Sequence, residues 1–314
     1  MFDNEVFAAE STGKGLGIKR VLELINVFEE ACRAKSIIVK VNFVSACTLL
    51  SATPVEAVEE YIKYLRDFCR KKVVIAEAPA VGGSFRDALD RFGYYRLKDY
   101  DVEFLDLSGD DYEEFYVWNR NLDRNVKVKV SKTMLESDYL VSIVRPKTHD
   151  TVIATLTIKN VVVGAILPSD RHKIHQGYKA INLSIAYLAT FLMPKLALVD
   201  GYIGMEGNGP IGGTPIKLGL ALGGRNAVAV DAATVALMGF DPRNIGYLSY
   251  LSEWGYGCID PDKLRVVGVE NWLSYRKSFR PHSSYKFQLN WRLTPQEKQK
   301  IEKELSDLLS WNRQ

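Results

Sequence analysis

The sequence predicts an α/β fold: a mainly parallel sheet with helices on both faces, plus a C-terminal helical tail. Three observations carry that expectation. β-Branched runs alternate with stretches of helical period, and such alternation builds strand–helix–strand units. The apolar run Leu196 to Val199 ends in Asp200 and opens into a loop with six glycines between Gly201 and Gly213. An acid at a strand end, followed by such a loop, is where open α/β sheets keep their sites. Finally, no repeat, low-complexity tract or clean linker interrupts the chain before about residue 272. Residues 1–271 therefore read as one α/β domain and 272–314 as a tail.

Val6 to Ala9 opens as a strand. Gly13-Lys-Gly-Leu-Gly17 fits neither the dinucleotide fingerprint nor the Walker pattern and reads as a turn into a helix. That helix spans Ile18 to Ala31, with Val21, Leu24, Ile25 and Phe28 on one face. Ser36 to Val44 is a strand. Thr53-Pro-Val-Glu56 has the form of a capping box with proline at the first helical position, which starts a helix running to about Cys69. Lys72 to Glu77 is a strand, Phe85 to Phe92 a helix capped by Ser84, and Val102 to Leu107 a third strand. Val126, Val128 and Val130 alternate with Lys127 and Lys129, which predicts a half-exposed edge strand. Tyr139 to Val144 is a strand leading to Arg145-Pro-Lys-Thr-His149. Val152 to Gly164 reads as one buried helix, and Ile181 to Leu192 as another that stops before Pro194. The strand Lys195 to Val199, the glycine loop, the strand Ile216 to Leu222 and the helix Ala227 to Met238 follow. A short helix near Ile245 to Trp254 and the strand Lys263 to Val269 close the domain. In the tail, Thr294-Pro-Gln-Glu297 is a second capping box, and Ile301, Leu305 and Leu308 stripe one helix face. Such a stripe calls for burial against the body or a second copy of the chain.

Composition narrows the function classes. The net charge is only +3, with 47% apolar and 25% charged residues and no basic stripe, which speaks against nucleic acid. No apolar run reaches the length of a membrane span, and the acidic start Met1 to Glu5 is not followed by a signal-type core. A cytoplasmic protein is expected. Cys32, Cys47, Cys69 and Cys258 are dispersed, without a Cys-x-x-Cys pair. They read as free thiols, and no iron–sulfur cluster is expected on this chain.

The candidate chemistry lies at strand ends. Lys40 and Asn42 end one strand, Lys147 and His149 follow another, and Asp200 ends a third. In a parallel sheet such ends share one edge and converge on one crevice. A buried lysine needs an acid, a ligand anion or a shifted pKa, which singles out Lys40 and above all Lys159-Asn160 within an apolar segment. The bland alternatives are a rim salt bridge for Lys40, and for Lys159 an internal pair with Glu206 or Asp231. Asp231 itself reads equally as a paired helix acid. His175 suits acid–base work near neutral pH, whereas His172 and His282 read as surface residues. Gly207 and Gly209 offer backbone approach to a ligand. Lysines with backbone amides suit a small carboxylated or phosphorylated molecule. Asp200 and Glu206, with His149 or His175, form the alternative of a divalent metal bridging to that anion.

Several short motifs occur in order across residues 36–270. They are Lys40-Val-Asn42, Pro146-Lys-Thr-His149, Lys159-Asn160 with Gly164, Lys173-Ile-His175 and Asp200-Gly201. Glu206-Gly-Asn-Gly-Pro210, Gly213-Thr-Pro215, Ala229-Val-Asp231 and Met238-Gly-Phe-Asp-Pro242 follow. Together they resemble the signature of the domain of unknown function 362 family. That resemblance implies no settled activity. Many relatives carry a ferredoxin-like iron–sulfur module, which implies redox company for them; the cysteines here depart from it. The leading expectation is an enzyme acting on a small anion. Lys40, Lys147 and Lys159 would bind it with Asn42, Asn160, Gly207 and Gly209. His149 or His175 would move the proton, and Asp200 and Glu206 would orient a lysine or hold a metal. A redox accessory protein for a separate ferredoxin-like partner is the second expectation, and a non-catalytic metabolite-binding module the third.

Overall fold

A computed structural model describes residues 4–311, with side chains as far as Leu305. In chain order the strands are β1 (Glu5–Glu10), β2 (Ile37–Lys40), β3 (Val73–Glu77), β4 (Val102–Asp106), β5 (Tyr112–Trp118), β6 (Arg124–Ser131) and β7 (Tyr139–Val144). Then come β8 (Lys147–His149), β9 (Ile153–Thr155), β10 (Leu196–Gly201), β11 (Gly204–Asn208), β12 (Gly212–Ile216), β13 (Leu220–Gly224) and β14 (Arg265–Val267). The main sheet has the order β14-β1-β13-β10-β7-β2-β3-β4. All of its neighbours pair in parallel except β13, which runs antiparallel to both β1 and β10.

Alternation along the central strands explains why both faces are covered. Ile37, Val39, Val141, Ile143 and Leu198 point to one core, with Ile18, Val21 and Leu22 of the helix Leu16–Ile25 and Val58, Ile62 and Leu65 of the helix Val55–Arg66. Ile38, Leu140, Val144, Ala197 and Val199 point to the other. There they meet the helices Thr157–Ala165, Tyr178–Leu192 and Ala227–Leu237. Side chains on successive strand residues face opposite ways, so a strand buried on both sides is apolar throughout.

A second sheet, β12-β11-β8-β9, extends the main one beyond its carboxyl edge. Its strand β8 follows β7 after Arg145 and Pro146, and β11 follows β10 after Tyr202 and Ile203. The two continuations pair in parallel at Met205 and Lys147, as their parent strands do. The expected glycine loop is largely the hairpin β11–β12, and β13 begins only at Leu220. Close packing explains its glycines: a Cβ at Gly213 would lie 2.4 Å from Glu206 O, and one at Gly201 only 2.2 Å from Leu220 O.

Three expectations need correcting. The segment from Val152 is not one helix: it pairs first as β9 and turns helical only at Thr157. Its β-branched residues suit the strand that the helical reading passed over. Thr53 does not cap the helix beginning at Val55; its hydroxyl accepts from Asn42 N at 2.9 Å and donates to Ile143 O at 2.7 Å, tying two strand ends together. The cysteines are not all free: Cys32, in the helix Phe28–Arg33, is bonded to Cys69, just past the helix Val55–Arg66, with Cα atoms 5.9 Å apart. Two helices that dock side by side bring together cysteines separated by 37 residues, a distance no local motif encodes. The strand Arg124–Ser131 has its own partner, β5, in a two-stranded sheet.

The tail packs on this body. Phe279, Trp291, Ile301 and Leu305 are buried, and Lys179 Nζ pairs with Glu297 at 2.7 Å. The Thr294–Glu297 capping box is formed. The side chain of Leu308 lies outside the described residues.

Candidate functional site

A cavity of about 200 Å³ opens where the carboxyl ends of β2 and β3 meet the small sheet and the helix Thr157–Ala165. A polar network forms its floor. Lys40 closes β2, and its Nζ donates to Glu77 Oε2 at 2.8 Å, Val41 O at 2.7 Å and Asn160 Oδ1 at 3.3 Å. Glu77, at the end of the neighbouring β3, also accepts from Phe43 N and Ala78 N. Burial pushes the Lys40 pKa down, and Glu77 opposes that shift. Asn42 Nδ2 donates to Asn160 Oδ1 at 2.9 Å, while Asn160 Nδ2 donates to Lys40 O and Ser142 Oγ, both at 3.1 Å. Lys147 lies beneath, fully buried, and donates to Asn42 Oδ1 and Ser51 O. Burial, then the nearby Arg145 and Lys159 charges, pushes its pKa well below the usual lysine value. A buried network in which each member has a partner holds one geometry.

The helix that supplies Lys159 and Asn160 is anchored from outside. Asp231 accepts from Thr157 N at 3.0 Å, Thr157 Oγ1 at 2.6 Å and Ile158 N at 3.0 Å. It thus satisfies the first N–H groups of a helix with no cap of its own. Burial pushes the Asp231 pKa up to about 7, against the pull of those donors. Gly164, one turn on, makes room for Lys40: a Cβ there would fall 2.4 Å from Lys40 Cε.

Lys159 differs from the other two lysines. It is 7% exposed, lines the cavity, and has no hydrogen-bond or ion-pair partner among the described residues. Burial pushes its pKa down to about 8; Asp150 opposes that shift, while Arg171 and Lys40 add to it. The buried Thr155 hydroxyl, also in the lining, lacks a partner too. His149 accepts from Thr151 N at Nδ1, 3.0 Å away, with Asp150 Oδ1 at 2.9 Å. Nδ1 thus faces both a donor, the Thr151 N–H, and an acceptor, the Asp150 carboxylate. Burial, then the Lys159 charge, pushes the His149 pKa down to about 3 against Asp150. Arg171 donates to Ala78 O at 2.8 Å, Gly164 O at 3.2 Å and Ile166 O at 3.3 Å, which fixes its guanidinium in the lining.

The tail reaches this site from behind. Gln288 Nε2 donates to His149 O at 2.9 Å, its Oε1 accepts from Ile153 N, and Ser284 Oγ donates to Asp150 O at 2.7 Å. Ile153 is held at φ 67°, a conformation that costs a β-branched residue free energy. The clamp therefore sets the turn between His149 and Thr155.

Six of the expected residues line one cavity: Lys40, Asn42, His149, Lys159, Asn160 and His175. Lys147 supports Asn42 from below. Asp200 is placed apart, accepting from Gly15 N at 3.0 Å and Tyr202 N at 3.2 Å. Glu206 accepts from Arg280 N at 2.9 Å in the tail. Gly207 has φ 78° and packs on Arg280, and a Cβ at Gly209 would sit 2.2 Å from Thr148 O; of that loop, Pro210 reaches the cavity. No three His, Cys, Asp or Glu side chains among the described residues are grouped to hold a metal ion. Neither Glu206 nor Asp231 pairs with Lys159. Glu77, Asp150, Thr155 and Arg171 also line it and were not expected. Only Glu77, an acid at the end of a legible strand, carried a usable signal.

Fold and cavity define an open α/β protein with a cation-rich pocket at the carboxyl edge of its parallel strands. The chain belongs to the family described as domain of unknown function (DUF362), whose model matches residues 37–236. The thylakoid-associated protein sll1697 of Synechocystis sp. is 24% identical over 178 residues, 55% of this chain and 53% of that protein. The match thus covers about half the length of that relative. Among solved structures, the lactate racemase apoprotein of Thermoanaerobacterium thermosaccharolyticum aligns with a TM-score of 0.44 at 14% identity, over 63% of this chain and 50% of that one. A protein of Thermotoga maritima aligns with a TM-score of 0.39 at 13% identity, over 63% and 52% respectively. No helix among the described residues is long and apolar enough to cross a membrane.

Proposed function

We propose that the cavity binds a small carboxylated or phosphorylated molecule and performs acid–base chemistry on it. One observation carries the reading: the buried ammonium of Lys159 faces the cavity without a counter-charge in contact. Three cations, Lys40, Lys159 and Arg171, line the space against two carboxylates, Glu77 and Asp150, and Glu77 is already engaged by Lys40. An anion placed between Lys159 and Arg171 would supply the missing charge. The volume of about 200 Å³ fits a metabolite smaller than the ligands of most drug-binding pockets. His149 or His175, both in the lining of the cavity, would move the proton.

A thermal-shift screen of phosphates and carboxylates tests this. A ligand at a hundredfold excess over its dissociation constant stabilises the folded state by about 2.7 kcal/mol. Lys159→Met should abolish the shift and keep the fold, because methionine preserves most of the volume. A panel without any shift would overturn the anion reading. A shift without turnover of any ligand would leave a binding module rather than an enzyme.

A further inference from the structure

Resting on that reading, we propose that Lys159 is a nucleophile that forms an imine with the carbonyl carbon of a small 2-oxo acid. Anion binding alone does not require what the cavity provides. A lysine meant only to hold charge is well served by a buried ion pair, as Lys40 is by Glu77. Lys159 is instead left with a free nitrogen in a confined space, whose lining also holds a fixed guanidinium and a neutral histidine. An amine attacks only when unprotonated, and desolvation near other cations is what raises the unprotonated fraction of a lysine. Its pKa of about 8 agrees with that arrangement.

The chemistry balances with groups present. The Lys159 nitrogen lone pair adds to the carbonyl carbon, and one of the two amine protons passes to the carbonyl oxygen, giving a neutral carbinolamine. The hydroxyl then leaves as water with the second amine proton, and the C=N bond forms. Hydrolysis reverses each step, so no oxidant, reductant or second substrate is needed. The substrate carboxylate would lie toward Arg171. The unpartnered Thr155 hydroxyl is available to the carbinolamine oxygen.

The test uses the full chain with pyruvate as the 2-oxo acid and propanoate as its carbonyl-free counterpart. In cyanoborohydride at neutral pH, pyruvate should label Lys159 at least about tenfold faster than the exposed Lys14 and Lys19, as read by peptide mass mapping. Propanoate should slow that labelling. Lys159→Arg keeps the charge and cannot form a stable imine, so it should retain the propanoate thermal shift and lose the label. If both acids stabilise the protein while Lys159 is labelled no faster than Lys14, the covalent step is wrong and the anion site stands. If neither acid binds and Lys159 stays unlabelled, the 2-oxo acid proposal falls, and the anion reading falls with it only when the wider panel of phosphates and carboxylates also gives no shift.

Discussion

An ammonium held in a cavity without a carboxylate or an acceptor lowers the stability of the chain that carries it. For Lys159 the folded pKa of about 8 lies below the unfolded value of 10.5. The penalty is therefore full below pH 8, where both states are protonated, and fades between pH 8 and 10.5. By linkage it is on the order of 3 kcal/mol. Lys159→Met should accordingly raise the urea midpoint at pH 7, with a gain that shrinks above pH 8; a loss of stability at pH 7 would mean that the amine is paired. His149 behaves in the opposite pH range. Its folded pKa of about 3 lies below the ordinary 6.5, so the unfolded chain takes up the extra proton as pH falls. Stability should drop between pH 6.5 and 3 by on the order of 1 kcal/mol per unit crossed, and His149→Asn should flatten that part of the profile. Equal acid limbs in the two proteins would show that the ring protonates freely in the fold. Lys159 was legible in the sequence because charge within an apolar stretch is conspicuous, and His149 because it follows a strand end. Thr155 and Arg171 were not, because nothing local marks a threonine in an apolar run or an arginine in a polar loop as facing a cavity.

Helix Thr157–Ala165 depends on an acid that is remote in sequence. Removing the Asp231 carboxylate leaves buried N–H groups at Thr157 and Ile158 without acceptors. Each such group costs about 1–3 kcal/mol. Asp231→Ala should destabilise the protein by several kcal/mol and weaken ligand binding, since this helix carries Lys159 and Asn160. A variant with unchanged unfolding would show that another group caps the helix. The sequence offered Asp231 as an acid in a helix body, and it could not name the second helix that the acid serves. Most strands of the main sheet were legible, because each is a compact apolar run. The short strands β8, β9, β11 and β12 were not: three to five residues, several of them glycine, proline, threonine or charged, give no periodicity to read. For the same reason the glycines of β11 and β12 looked like a ligand loop, when their backbones are occupied by one another and by the tail.

At the scale of the molecule, the bond between Cys32 and Cys69 bears on where the protein works. Unfolded without reductant, the chain should expose two thiols, Cys47 and Cys258, and four after reduction. Four thiols before reduction would instead fit the reducing cytoplasm expected from composition. The tail has a different bearing. The family match ends at residue 236, whereas the groups that clamp the turn after His149 lie at Ser284 and Gln288. Chains are made from the amino end, and domains form as their residues emerge. A nascent chain ending with that match would possess all strands of the main sheet but β14, the three lysines and the cavity lining, yet its His149 would hang on an unclamped turn. The wall of the pocket that carries His149 is thus the last to be fixed in place.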